Sequence, residues 1–267
     1  MTKPLSSIYT VAHPQIRRKL MRSIDKGINN SQIKPILFFR ADDIGIPSHS
    51  FHQLIHCFHK HKIPLCLATV PTWLTPKRLH ELSMYMEPES SQWCWHLHGW
   101  LHRNFEVSGK KQEFGPSRNS DTISDILRRG QTRLETVLGK HFHPVFTPPW
   151  NRCSQITLTS LINLRFKAVS RSTGASPEAP STLPDFQVNV DLHTRKEISP
   201  EHGLENLMAE LERGIASGQC GIMIHHQRMN KRALQFLDLL LEIVGQDQRI
   251  DTLHFNDMTG SLSQGYH

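Results

Sequence analysis

The chain has 267 residues, long enough for one large domain, and 37% of them are hydrophobic, which suits an ordinary soluble core and excludes a disordered polymer. Lys and Arg outnumber Asp and Glu by 31 to 24, a formal charge of +7, yet the basic residues are spread along the chain. The densest cluster, Arg17, Arg18, Lys19 and Arg22, fits a polar helix face, so nucleic acid is not an expected partner and the field serves equally to steer an anionic substrate.

Residues 1–32 read as a helical extension ahead of a single domain over 33–260. In chain order, the apolar runs Pro35–Phe39, Pro64–Val70, Trp93–His98, Pro144–Thr147, Phe166–Ser170, Val188–Leu192, Gly221–His225 and Thr252–Phe255 predict buried strands. Helical faces lie between them. Phe51, Leu54, Ile55 and Phe58 share one, and Leu79, Leu82 and Met86 another. Further helices are predicted over Thr122–Leu138, Ser154–Leu164, Glu201–Ala216 and Lys231–Val244, the first of these capped by Ser120 or Asp121 and ended by Gly139. Ser172–Pro184, rich in Ser and Pro, reads as a surface loop. Strand-helix alternation predicts a parallel sheet, closed as a barrel or open and doubly wound.

Five cysteines, at 57, 66, 94, 153 and 220, form no Cys-x-x-Cys pair and predict reduced thiols. No apolar run is long enough for a bilayer, and the N-terminus has no apolar secretion core; a cytoplasmic protein without membrane partners is expected.

Chemically capable residues gather where strands end: Asp42 and Asp43, His98, Asp191 and His193, His225 and His226. In parallel α/β folds these ends form one rim, where ligands bind. His98 and His102 can share a cation if the strand turns after Gly99, and a carboxylate from Asp42-Asp43 completes a facial set. Adjacent residues point differently, so one aspartate can ligate while the other stays free as a base. His52 and His56 repeat the spacing on a helix and read as a solvated face; an Asp-Asp pair also serves turn chemistry.

With these residues in view, FFRADDIG (residues 38–45) resembles the first motif of the polysaccharide deacetylase family, which includes nodulation and chitin deacetylases. HGWLH (98–102) resembles the second and FTPPWNR (146–152) the third. VNVDLH (188–193) stands where a fourth, acidic motif is expected, and GIMIHH (221–226) resembles the last. The segments Trp95-x-x-His98-Gly99-Trp100 and Pro148-Pro149-Trp150-Asn151 are closest to a bacterial branch. The resemblance implies a distorted (β/α)7-8 barrel and a metal-dependent hydrolase that removes an acetyl group from a sugar or related acylated amine. Asp43, His98 and His102 would hold one divalent cation: zinc, or else iron, manganese or cobalt. Asp42 would be the base, His225 the acid and Asp191 its orienting partner. Pro149, Trp150 and Asn151, with Trp100, would line the groove for an acetylated glycan or small acylated sugar.

Three features depart from the family. Thr147 replaces an Arg that braces the base, with Arg40 and Arg152 as substitutes; His226 competes with His225; and the expected cytoplasmic location favours a soluble substrate over cell-wall polymer. Two other readings use the same residues: a carbohydrate-binding protein that kept the groove without the chemistry, and a two-His, one-carboxylate iron oxygenase, which lacks its usual His-x-Asp spacing here.

Overall fold

A computed structural model describes residues 5–264, so the first four residues of the expected extension lie outside it. Its strands are β1 (Ile36–Ile44), β2 (Leu65–Thr69), β3 (Trp93–His98), β4 (Phe142–Thr147), β5 (Ala168–Val169), β6 (Val188–Asp191), β7 (Gln219–Ile224) and β8 (Asp251–Thr252). The helices are α1 (Ile16–Asn30), α2 (His49–His61), α3 (Pro76–Ser83), α4 (Ser120–Leu138), α5 (Gln155–Asn163), α6 (Pro200–Ala216), α7 (Lys231–Gln246) and α8 (Phe255–Gln264). None of the described helices is long and apolar enough to cross a membrane.

The chain divides into two compact units, the first of Met1–Ala41, Ser48–Leu65 and Val188–His254, the second of Asp42–Pro47, Cys66–Gln187 and Phe255–His267. In the first, Ile36–Ala41 of β1 pairs in parallel with Gln219–Ile224 of β7, giving the order β1-β7-β6. In the second, the order is β5-β4-β3-β2, continuing to the last residues of β1, where the Val70 N–H donates to the Ile44 carbonyl at 2.9 Å. The fold class is therefore α/β with parallel strands, as the alternation predicts.

Helix starts follow side-chain chemistry. Oxygens of Ser48, Thr75, Asn119, Ser154, Ser199 and Asn230 each accept an N–H from the first turn of the helix that follows. On α4 the cap is Asn119, ahead of the expected Ser120 or Asp121. The strand β1 also runs past Phe39 through Asp42 and Asp43 to Ile44, whose carbonyl takes the Val70 N–H. After β8, the predicted strand ends at Thr252, and Phe255 opens α8, its ring stacked 5.4 Å from Phe186.

Helix α1 packs on α6, with Leu20, Ile24 and Gly27 buried. A Cβ at Gly27 would stand 2.7 Å from the Ile215 Cβ and 2.9 Å from the Glu212 carbonyl, so glycine is what lets the helices approach. On an open helix, Gly→Ala stabilises by about 0.5–1 kcal/mol. Here Gly27→Ala is expected to destabilise by about 1–3 kcal/mol, the cost of overpacking, measured by urea denaturation.

Candidate metal centre

Asp42 and Asp43 lie at the end of β1, each 3% exposed. Asp43 has φ +64°, a left-handed conformation that costs a non-glycine residue about 1–2 kcal/mol. His102 (φ +54°), Trp150 (+57°) and Asn151 (+59°) share it, so strained residues fall on three of the predicted site segments. Strain of this kind persists only where surrounding structure over-determines it.

The strain brings donors together. The Asp43 Oδ1 lies 3.1 Å from the His102 Nε2 and 3.5 Å from the His98 Nε2. All three ligand atoms lie within 4.8 Å of one another. Ligands about 2.0–2.1 Å from a tetrahedral zinc stand roughly 3.3 Å apart, so this donor set is compatible with a divalent cation. The His98 Nδ1 is 2.9 Å from the Thr147 carbonyl, which can only accept, so the proton sits on Nδ1 and Nε2 faces Asp43. Burial and the neighbouring His98 push the His102 pKa down to about 4, leaving a neutral imidazole. Burial also opposes a charge on His98, but Asp43 and Asp42 outweigh it and raise its pKa.

A residue that sequence reasoning missed builds the second strand-to-loop turn. Glu113, fully buried, accepts N–H groups from Trp100 (3.2 Å), Leu101 (2.7 Å) and His102 (3.1 Å). Burial raises its pKa against the pull of these three bonds. Gly99 (φ +63°) permits the turn, and a Cβ there would stand 2.6 Å from the Pro149 Cγ. Nothing around Gln112-Glu113-Phe114 signals such a role.

Aromatic rings border the histidines. The Trp150 ring lies 4.7 Å from the His102 ring and the Trp73 ring 5.7 Å. Trp100, Trp150 and Asn151 are half-buried, and Pro149 is buried. Thr147 bonds the His96 Nε2 through its hydroxyl at 2.9 Å. Arg152 donates to the Lys111 carbonyl at 3.3 Å, and Arg40, in the first unit, is buried with a bond to the Met223 sulfur at 3.2 Å. His52 and His56 are exposed, as expected of a solvated face.

The remaining candidates belong to the first unit. Asp191, expected to orient His225, has its carboxylate bonded within its own turn. The Asp191 Oδ1 accepts the N–H groups of His193 and Thr194 at 2.9 Å each, and its Oδ2 accepts the Thr194 hydroxyl. A carboxylate ending a strand is taken first by the N–H groups of its own turn. His193 meets His225 instead, its Nδ1 accepting the His225 backbone N–H at 3.2 Å. His225 is half-exposed, whereas His226 is 1% exposed with its ring 5.8 Å from Phe51.

Two outcomes follow. Glu113→Gln puts an NH₂ against donors and is expected to weaken any divalent-cation binding at this donor set about 10–100-fold, read by calorimetry with far-ultraviolet dichroism unchanged. Burial, with repulsion from the Arg228 guanidinium and the His225 and His226 rings, pushes the His193 pKa down to about 3. The unfolded chain therefore binds a proton near pH 6.5 that the folded chain refuses, and stability falls as pH drops from there toward 3. At pH 4.5 the loss from this residue is on the order of 2–3 kcal/mol. His193→Gln should show a correspondingly shallower decline between pH 7 and 4.5 in urea denaturation.

No family model matches the chain, and no curated protein matches it. Solved structures do. A probable polysaccharide deacetylase from Pseudomonas aeruginosa superposes with TM-score 0.63 at 10% identity, covering 89% of this chain and 93% of that one. A family 4 acetyl xylan esterase from Clostridium thermocellum, in complex with cobalt, gives 0.52 at 11%, covering 86% and 92%. A CE4 family pseudoenzyme from Bacillus anthracis gives 0.53 at 11%, covering 85% and 66%. The chain has the polysaccharide deacetylase fold.

Proposed function

We propose that the protein is a metal-dependent deacetylase that hydrolyses the acetyl amide of a sugar or related acylated amine. The observation that carries this reading is the convergence of Asp43, His98 and His102 within 4.8 Å on the fold shared by these deacetylases. A bound divalent cation would acidify water and polarise the acetyl carbonyl. Asp43 and the two Nε2 atoms would hold it, with the His98 tautomer set by Thr147. Asp42, at 3% exposure beside Asp43, would take the proton from the attacking water. Trp150 and Trp100, half-buried near the histidines, would face the sugar. His225, rather than buried His226, would protonate the departing amine; this role rests on the GIMIHH motif and on its greater exposure. The substrate class we favour is an acetylated glycan or small acylated sugar, and zinc is the favoured metal.

One observation favours a second reading. Thr147 occupies the position of the family's bracing Arg and is bonded to His96 and His98, and a pseudoenzyme shares the fold. A groove that binds sugar without turnover is consistent with both.

Acetate release separates the readings. Protein charged in turn with Zn²⁺, Co²⁺ and Mn²⁺ is expected to release acetate from N-acetylated chito-oligosaccharides. Asp42→Asn is expected to keep the cation and lose about 10²–10⁴-fold in kcat, while His98→Ala or His102→Ala loses the cation itself. Sugar binding by calorimetry, without acetate release from any N- or O-acetylated glycan under any of the metals, would make the protein a non-catalytic binder.

A further inference from the structure

Outside the centre described above, one other group of donors among the described residues converges within 4.8 Å: Cys57, His61 and Asp238. Cys57 and His61 are four residues apart on α2 and share a face, while Asp238 comes from α7, which packs against it. The Asp238 Oδ1 lies 2.7 Å from the His61 Nε2 and 3.7 Å from the Cys57 Sγ. We propose that these three residues form a second divalent-cation site, suited to zinc, that ties α2 to α7.

The donor chemistry selects the ion. A thiolate, an imidazole and a carboxylate suit zinc and its borderline-soft neighbours and disfavour magnesium and calcium, which take oxygen. Zn–S and Zn–O bonds of about 2.3 and 2.0 Å put sulfur and oxygen roughly 3.5 Å apart, close to the distance found. The His61 ring has to withdraw from hydrogen-bond range by a few tenths of an ångström. As the metal–sulfur bond forms, the Cys57 thiol gives its proton to solvent, and no redox change is involved. Thiolate and carboxylate then cancel the two positive charges.

The site also has a way in. The Cys57 residue is 4% exposed and the His61 side chain 11%, but the Asp238 side chain is 37% exposed and opens the cluster to solvent. Lys60 competes for Asp238, its Nζ lying 2.8 and 2.9 Å from the two oxygens. That amine is on a side chain 53% exposed and can turn to water when a dication arrives. Glu242, one turn further along α7, is bonded to Arg17 at 2.8 Å and adds no net charge. A Lys–His–Asp ion network has no use for a thiol; a cation site does.

Cobalt makes the site visible, because the Asp43-His98-His102 centre contains no sulfur. The full-length protein titrated with Co²⁺ is expected to show a thiolate-to-cobalt charge-transfer band in the near ultraviolet, bleached by Zn²⁺. Cys57→Ala should abolish it and lower total cobalt uptake by one equivalent. His61→Ala and Asp238→Asn should weaken the band-bearing equivalent about tenfold or more, and they decide the matter should Cys57→Ala fail to fold. The band should survive in the His98→Ala, His102→Ala double variant, so a failed deacetylase reading leaves this test intact. Absence of the band in saturated wild type, or its persistence in Cys57→Ala, which would assign it to Cys66, Cys94, Cys153 or Cys220, overturns the proposal.

Discussion

A buried carboxylate that takes three successive backbone N–H groups is the contact on which the centre's geometry depends. Trp100, Leu101 and His102 leave β3 in a tight turn, with no ladder partner to receive their N–H groups. Glu113 receives all three. Unmade, such bonds would each cost about 1–3 kcal/mol in a dry site, enough to reopen the turn and swing His102 away from Asp43. The same carboxylate accounts for Gly99, since a side chain there would strike both Glu113 and Pro149. His102 can therefore hold a left-handed backbone that it would not adopt alone. Glu113 thus supplies through the backbone what Thr147 supplies through the His98 ring: an orientation fixed by the protein itself.

Most strands and the later helices were legible because each announces itself locally. Continuous apolar runs mark strands covered on both faces, and period-3.6 stripes mark the helices over them. The misses have physical causes. The run at Phe39 stops being apolar where β1 goes on, because backbone pairing, with β7 at Arg40 and Ala41 and with Val70 at Ile44, holds the strand whatever the side chains. Phe255 looks like the end of a strand, since aromatic residues suit strands, yet stacking on Phe186 makes it the first residue of α8. On α4, Asn119, Ser120 and Asp121 can all cap, and only the path of the entering chain decides among them.

At the site, residues that meet through motifs were readable, whereas residues that support them were not. Asp43, His98 and His102 stand in recognisable spacing, and their convergence follows from parallel strands ending on one rim. Glu113 is a single acid in a loop, and Trp73 a single aromatic, with no period or partner to mark either. Asp191 presents the opposite case. Its place at a strand end suggested a partner for His225, but a carboxylate there is intercepted by His193 and Thr194, two and three residues on.

Four pairs in this chain put a donor four residues before a histidine; Cys94 and His98 lie within β3, and spacing alone separates none of the other three. His52 and His56 lie on the open face of α2, where no third donor converges among the described residues. Cys57 and His61 lie on the same helix, on the face that meets α7, where Asp238 completes a set of three. Between His98 and His102 there is no helix at all. The turn at Gly99 aims both Nε2 atoms at Asp43, a carboxylate held from another strand in a strained conformation. What distinguishes the three is how the third ligand is delivered: not at all, from a packed helix with an exposed edge, or from a buried strand end. A half-exposed acid on a helix surface is one that a lysine can contest, as Lys60 does Asp238. A carboxylate locked on a strand end gives donors of fixed geometry, and the backbone strain at Asp43 and His102 is held by the structure around them.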